Sequence, residues 1–429
     1  MPLDPSKPAQ EIRGNDLGCA DYFALSFRLF GPRVSSLFDF YFLLLSVSVI
    51  AFVMEFIYSR FMLFILAEYL AIHLFIMTYC VIWGPPIASI ANSRTFTGLA
   101  LLPTLHLVAR LVKPTKIGVR SIAMTSFQAV LLAFVTMSRF EAVWEVGVVA
   151  AITPVAFFCA LLRNGRNKGR PGWLTLGVQL WPTAALILAL FVFQQREISV
   201  AGTSYEHDLG HHPVWDDVLN GLLNPSQQLF SEFTGLDSSL YNKYAYSDEM
   251  ACAAVNFYIK IHEIKNPNNY DCDNGYFVYN GTAGDYDALA RRIVFRVVWQ
   301  HPRIIFRGMQ QKIDQQLLLF TAKDAFAWPH LMLPIVLLVM SCLAYFITGG
   351  IAEHWNEAWH LVIVAILILA CASIDPMLAP SQLAIGTLMS YMLVSIMTLI
   401  FLILFLIKIG KHADFWFLSS AGKDQSLPR

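Results

Sequence analysis

Apolar runs of about 18 residues or more recur along the chain, at 36–57, 61–83, 119–138, 146–162, 173–193, 328–348, 358–378 and 383–408. Each is long enough to cross a hydrocarbon layer of about 30 Å as a helix. A chain with so many of them needs lipid as solvent. Composition agrees, since 56% of the 429 residues are hydrophobic and 14% are charged, against roughly 25% charged in an ordinary soluble domain. Mean hydropathy is +0.55. A ninth segment, FTGLALLPTLHLVARLV at 96–112, is shorter and carries Pro103, His106 and Arg110. We read it as spanning, with a re-entrant course as the alternative.

Short cytoplasmic loops collect Lys and Arg. Arg163, Arg166, Lys168 and Arg170 form one acid-free basic loop, and Arg110, Lys113, Lys116 and Arg120 another. With both inside, the tip RFEAVWE lies outside and the helix at 173–193 exits. Residues 194–327 are then extracytoplasmic, and three final helices return the chain to a cytoplasmic tail holding Lys408, Lys411 and Lys423. If 96–112 spans, the first 35 residues are outside and Arg60 is inside; if not, the N-terminus is inside.

The expected fold class is therefore an all-α polytopic membrane protein. It has about nine transmembrane helices and one mainly helical extracytoplasmic domain between helices six and seven. Its parts are an N-terminal segment (1–35), a first membrane bundle (36–193), the outer domain (194–327), a second bundle (328–408) and the tail (409–429). No basic stretch leading into an apolar core precedes the first span, so no cleavable signal peptide is expected. CADYFALSFRLF instead reads as a helix lying in the membrane interface, with Asp21 and Arg28 on its narrow polar strip. In the outer domain, Pro302 should divide LARRIVFRVVWQHPRIIFRGMQQKI into two helices.

The chain has seven cysteines without CxxC spacing. Cys252 and Cys272 fall in the polar region and would form a disulfide if it faces an oxidising compartment. Net charge is +0, which gives nucleic acid nothing to bind.

Polar residues near the outer helix mouths are the candidates for chemistry on a membrane-anchored substrate. Asp16 and Asp21 flank the start of the interfacial segment. A carboxylate there can act as a general base or help hold a divalent cation; otherwise it solvates a loop and a helix start. In EHDLGHHPVWDD, His207, His211, His212 and Asp216 make a polar site for an acceptor, or a hydrogen-bonded turn with Trp215 as its anchor. Gly210 and Pro213 argue against the continuous helix that a zinc pair would need. Arg292, Arg296, Arg303 and Arg307, with Arg94 at another outer mouth, suit phosphate or anionic lipid headgroups; a solvated helix face is the alternative. Glu55, Glu68 and His73 lie in apolar spans, where ionisable groups relay protons or pair between adjacent helices.

Two stretches carry a resemblance. His212-Pro213-Val214-Trp215, the Gly-Leu-Leu run at 221–223, YAYSDEMACAAVNFY at 244–258 and YDALARRIVFRVVWQHP at 286–302 look like the outer region of a bacterial family of glycosyltransferase-like membrane proteins. Here Asp216 stands where that family has His, and His301 where it has Asp. The acidic loop, interfacial helix ending in LFGP and membrane hairpin are similar to the beginning of the glycosyltransferase C superfamily, although the usual first span and Asp-Glu pair are missing.

The resemblance implies transfer of a sugar from a polyprenyl-phosphate donor at the outer face of the bacterial inner membrane. Asp16 or Asp21 would be the acid, and the arginines would hold lipid phosphate. Membrane lipids and a polyprenyl-phosphate sugar are the expected partners, and a divalent cation is the one cofactor compatible with the acids. The other readings are a non-catalytic accessory subunit bound to a membrane protein partner and a proton-coupled transporter.

Overall fold

A computed structural model describes residues 17–83, 97–112, 118–139, 142–166, 177, 179–201, 214–245, 249–264 and 283–308, and all regular structure among them is helical. The apolar segments at 328–408, the tail, Asp16, Arg94, His207, His211 and His212 lie outside the described residues.

The amphipathic segment forms α1 (Leu17–Phe30), and the long apolar run after it forms α2 (Val34–Phe56). The break between them is local chemistry. Gly31 takes φ +88°, and its N–H donates to the Phe27 carbonyl at 2.9 Å, ending α1 as glycine commonly ends helices. Pro32 then disfavours a helical conformation at Gly31. The bundle continues with α3 (Arg60–Trp83), α4 (Thr97–Val112), α5 (Val119–Ser138), α6 (Val143–Arg166) and α7 (Trp181–Ala201). Among these, α2 and α5 are long and apolar enough to cross a membrane, and α3, α4 and α6 contain shorter apolar stretches.

Side-chain pairs give the helix directions. Ser48 donates to the Gln128 side chain at 2.8 Å and Gln128 donates back to the Ser48 carbonyl at 2.8 Å. Nearer the end of α2, Ser121 donates to Glu55 at 2.7 Å, so α2 and α5 run antiparallel. Thr153 meets Thr183 at 2.6 Å, joining α6 to α7. The Trp181 indole donates to Ser126 at 3.2 Å, and the Phe134 and Phe193 rings lie 5.9 Å apart, which makes α7 parallel to α5.

The segment of uncertain course, α4, lies in the middle of this bundle. All of its 16 residues except Ala109 and Val112 are buried. A helix that is apolar on every side demands enclosure. At about 1.5 Å per residue it is about 24 Å long. Its start receives the Tyr69 hydroxyl at the Gly98 carbonyl, 3.0 Å away, and Arg110 near its end meets Glu55 at the end of α2. It therefore runs through the bundle alongside α2 and antiparallel to α5.

The interior holds buried Ser48, Glu68, His73, His106, Arg110, Gln128 and Glu145, while the outward face of α7 exposes Ile187 (63%), Leu188 (59%), Phe191 (57%) and Val192 (56%). α7 extends past the expected end at residue 193, through Arg196 to Ala201. Pro182 sits in its first turn, where its missing N–H costs no helical hydrogen bond.

α1 lies across one end of the bundle. Tyr22 is 1% exposed, its ring is 5.1 Å from Phe40 and 6.5 Å from Phe134, and its hydroxyl donates to the Leu37 carbonyl at 2.5 Å. Burial, and to a lesser degree Cys19, pushes the phenol pKa up, so Tyr22 stays a neutral donor. Leu25, Phe27, Leu29 and Phe30 face outward. Gly18 permits this seat, since a Cβ there would lie 2.5 Å from the Met137 carbonyl carbon and 2.6 Å from Ser138 N. Gly18→Ala is expected to cost about 2 kcal/mol through overpacking against backbone and to loosen α1. Faster protease cleavage in α1 of the detergent-solubilised protein would show it; an unchanged rate would mean the backbone yields.

The polar segment after the bundle forms α8 (Val214–Leu223), α9 (Gln227–Thr234), a 3-10 turn (Ser238–Leu240), α10 (Tyr241–Tyr244), α11 (Glu249–Ile261) and α12 (Ala283–Gln300). The chain resumes as helix at 302–308. The break falls at His301, immediately before Pro302, as the steric restriction on the residue preceding proline requires. These helices share a core separate from that of the bundle, including Leu219, Phe230, Val255, Tyr286, Ile293 and Val297. Cys252 is fully buried in it and disulfide-bonded; Cys272, its expected partner, lies outside the described residues.

Candidate functional site

Asp21, the described member of the N-terminal acid pair, does not stand alone. It projects from the first turns of α1 and accepts two hydrogen bonds from Arg196 of α7, at 2.6 and 2.8 Å. The fork is bidentate, the geometry in which guanidinium binds carboxylate most specifically. It stays accessible, with side-chain exposures of 29% for Asp21 and 50% for Arg196, so the pair contributes little to stability. Its chemical consequence is positional: both carboxylate oxygens accept from Arg196, which orients the carboxylate and places a guanidinium beside it. Arg196 was not among the sequence candidates. Its one signal is an isolated cation just beyond a predicted span, and nothing in the sequence joins it to an acid 175 positions away.

The arginines at 292–307 do not meet Asp21. Arg292, Arg296, Arg303 and Arg307 are exposed on α12 and the following helical stretch. Arg296 Nη1 lies 3.2 Å from His262 Nε2, and His262 stacks on Tyr258 with ring centroids 4.1 Å apart. His301, at the break, bonds Glu232 at 2.9 Å.

Asp216 is buried at 3% exposure and accepts a hydrogen bond from Tyr286 of α12. It also accepts from Asn220 at 3.4 Å, and Asn220 accepts from the Ala251 backbone N–H at 2.8 Å, near the start of α11. Asp287 reciprocates from α12 by accepting the Trp215 N–H at 2.8 Å. Helix starts leave backbone N–H groups unsatisfied, so this network closes two helix ends and ties α8, α11 and α12 together. Asp216 is thus a buried member of the domain's own framework, rather than an open acceptor site.

Within the bundle, Arg110 departs from its expected place among cytoplasmic loop charges. It is 6% exposed and lies 3.1 Å from Glu55, itself 4% exposed. The pair is extended by Ser121, which donates to Glu55, and Arg120 donates to the Met54 carbonyl. His73 lies 3.0 Å from the Tyr41 hydroxyl, joining adjacent helices as the pairing alternative foresaw. His106 is enclosed by the rings of Phe52 and Phe56, with centroids at 5.7 and 5.1 Å.

Among the described residues no group of three or more His, Cys, Asp or Glu side chains is arranged to hold a metal ion. No protein-family model matches the chain, and no curated protein or solved structure matches it.

Proposed function

We propose that this is a multi-pass protein of the bacterial inner membrane with about nine spans. In this reading it acts as a glycosyltransferase-like protein at the outer face, on a sugar carried by polyprenyl phosphate. The observation that carries the membrane part is that Ile187, Leu188, Phe191 and Val192 on α7 face outward while Glu68, Arg110 and Glu145 are enclosed in an otherwise apolar interior, as lipid solvent favours. The course of α4 through the bundle, antiparallel to α5, supports reading it as a span. The disulfide at Cys252 supports an oxidising, extracytoplasmic side for residues 194–327.

The catalytic part rests on Asp21, with Asp16 five positions before it, at the end of the bundle where α1 lies across α5. Asp21, oriented by Arg196, would activate the acceptor, and the outer arginines would attract the lipid phosphate. Alanine at both Asp16 and Asp21 is expected to abolish transfer from a radiolabelled polyprenyl-phosphate sugar while leaving the protein folded, because the broken pair is exposed. Full retained transfer would refute the assigned mechanism.

The closed Asp21–Arg196 fork favours a second reading, a non-catalytic accessory subunit of a membrane assembly. There the fork simply pins α1 to α7. Absence of donor binding by both the native protein and an Arg292→Ala, Arg296→Ala variant would select it.

A further inference from the structure

The face of α12 opposite its core is unusual for a solvated helix. Ile293, Val294 and Val297 turn inward, while Trp299 is 88% exposed, Phe306 in the following stretch 70% and Phe295 60%. Large aromatics left outside in such a series mark an interaction surface. Between Ala288 and Gly308 the chain has five arginines and no acid, and Arg292, Arg296, Arg303 and Arg307 are all exposed beside these rings. Arg and aromatic side chains alternating on one helical face suit a membrane interface, where rings enter the headgroup boundary and guanidinium groups meet phosphates.

We propose that this face docks the outer domain onto an anionic phospholipid surface, with Trp299 and Phe306 as the inserted rings. The proposal rests on the membrane placement above but is independent of any sugar transfer. Charge complementarity selects the occupant: four exposed arginines outnumber the carboxylates beside them, Asp285 at the start of α12 and Glu232 against His301, so the face is net positive and suits anionic headgroups better than a second copy of itself. Tethering agrees: residues 202–213 join α7 to α8 and reach at most about 40 Å, and the apolar run at 328–348 follows Gly308 closely.

The test is maleimide labelling of full-length Trp299→Cys and Phe306→Cys proteins in lipid nanodiscs, read by mass spectrometry of the modified peptide. With about 30 mol% phosphatidylglycerol, labelling at both positions should slow about fivefold relative to phosphatidylcholine alone. It should recover in about 0.5 M salt, or when Arg292, Arg296, Arg303 and Arg307 are all changed to Gln. Lys243→Cys, at an exposed position of α10, should label equally in both lipids. Equal rates at 299 and 306 in both lipids overturn the proposal, and so does protection that persists in detergent, which would mean coverage by protein. Labelling of Lys243→Cys by an impermeant maleimide on intact cells checks the side independently. If it labels while docking fails, only the lipid surface is rejected; if it labels only after permeabilisation, both are.

Discussion

Glu55→Ala or Arg110→Ala is expected to destabilise the protein by about 3–5 kcal/mol, because each removes a close counter-charge from a partner that is almost fully enclosed. The neighbours make this worse. Without Glu55, Ser121 also loses its acceptor; without Arg110, Glu55 loses a buried counter-charge near the C-terminal end of α2, where a negative charge is least welcome. The double replacement Glu55→Leu, Arg110→Met should recover most of the loss, since apolar residues of similar volume often match a buried pair in stability. Thermal unfolding in detergent, followed by helical circular dichroism, measures all three. A double variant as unstable as the singles would show that the space itself, not the charges, is what α2, α4 and α5 need there.

The second large effect is expected at Asp216. Asp216→Ala should cost about 3 kcal/mol, because it removes the buried acceptor to which the Tyr286 hydroxyl donates and loosens Asn220, and each such loss carries a desolvation penalty. Tyr286→Phe, which removes both the hydroxyl and its need, should cost about 1 kcal/mol. Proteolysis of the outer domain over a urea series, with the bundle still in detergent micelles, reads both. Asp216→Asn keeps the acceptor oxygen and should hold the fold better than alanine. If it unfolds the domain as readily as alanine does, the carboxylate charge rather than its hydrogen bonding is what the network uses.

Much of the local structure was legible from residue order. The break at Gly31-Pro32, the division before Pro302 and the helical character of the described apolar runs follow from backbone chemistry and composition, which act within a few residues. The amphipathic reading of α1 survived in part: Phe27, Leu29 and Phe30 face outward as an interfacial helix needs, but Tyr22 turns inward to bond the Leu37 carbonyl. The site was less legible. Asp21 stood out because it lies near the start of the interfacial segment, whereas Arg196 had no periodicity or motif to mark it. Asp216 looked available in a run of His and Asp, yet Tyr286 and Asn220 claim it.

By itself, then, the sequence determined where the chain is helical, where it must break, and that it divides into apolar helices and a polar helical region. Those properties depend on turn chemistry and on the hydrophobic cost of each segment, both of which are local. Tertiary structure decided that α4 is enclosed rather than peripheral, that Arg110 serves Glu55 instead of a loop, and that Asp21 faces Arg196. Each of these is a choice among distant partners that cost the same in an unfolded chain and become unequal only when packing removes solvent and brings one of them within 3.1 Å or less.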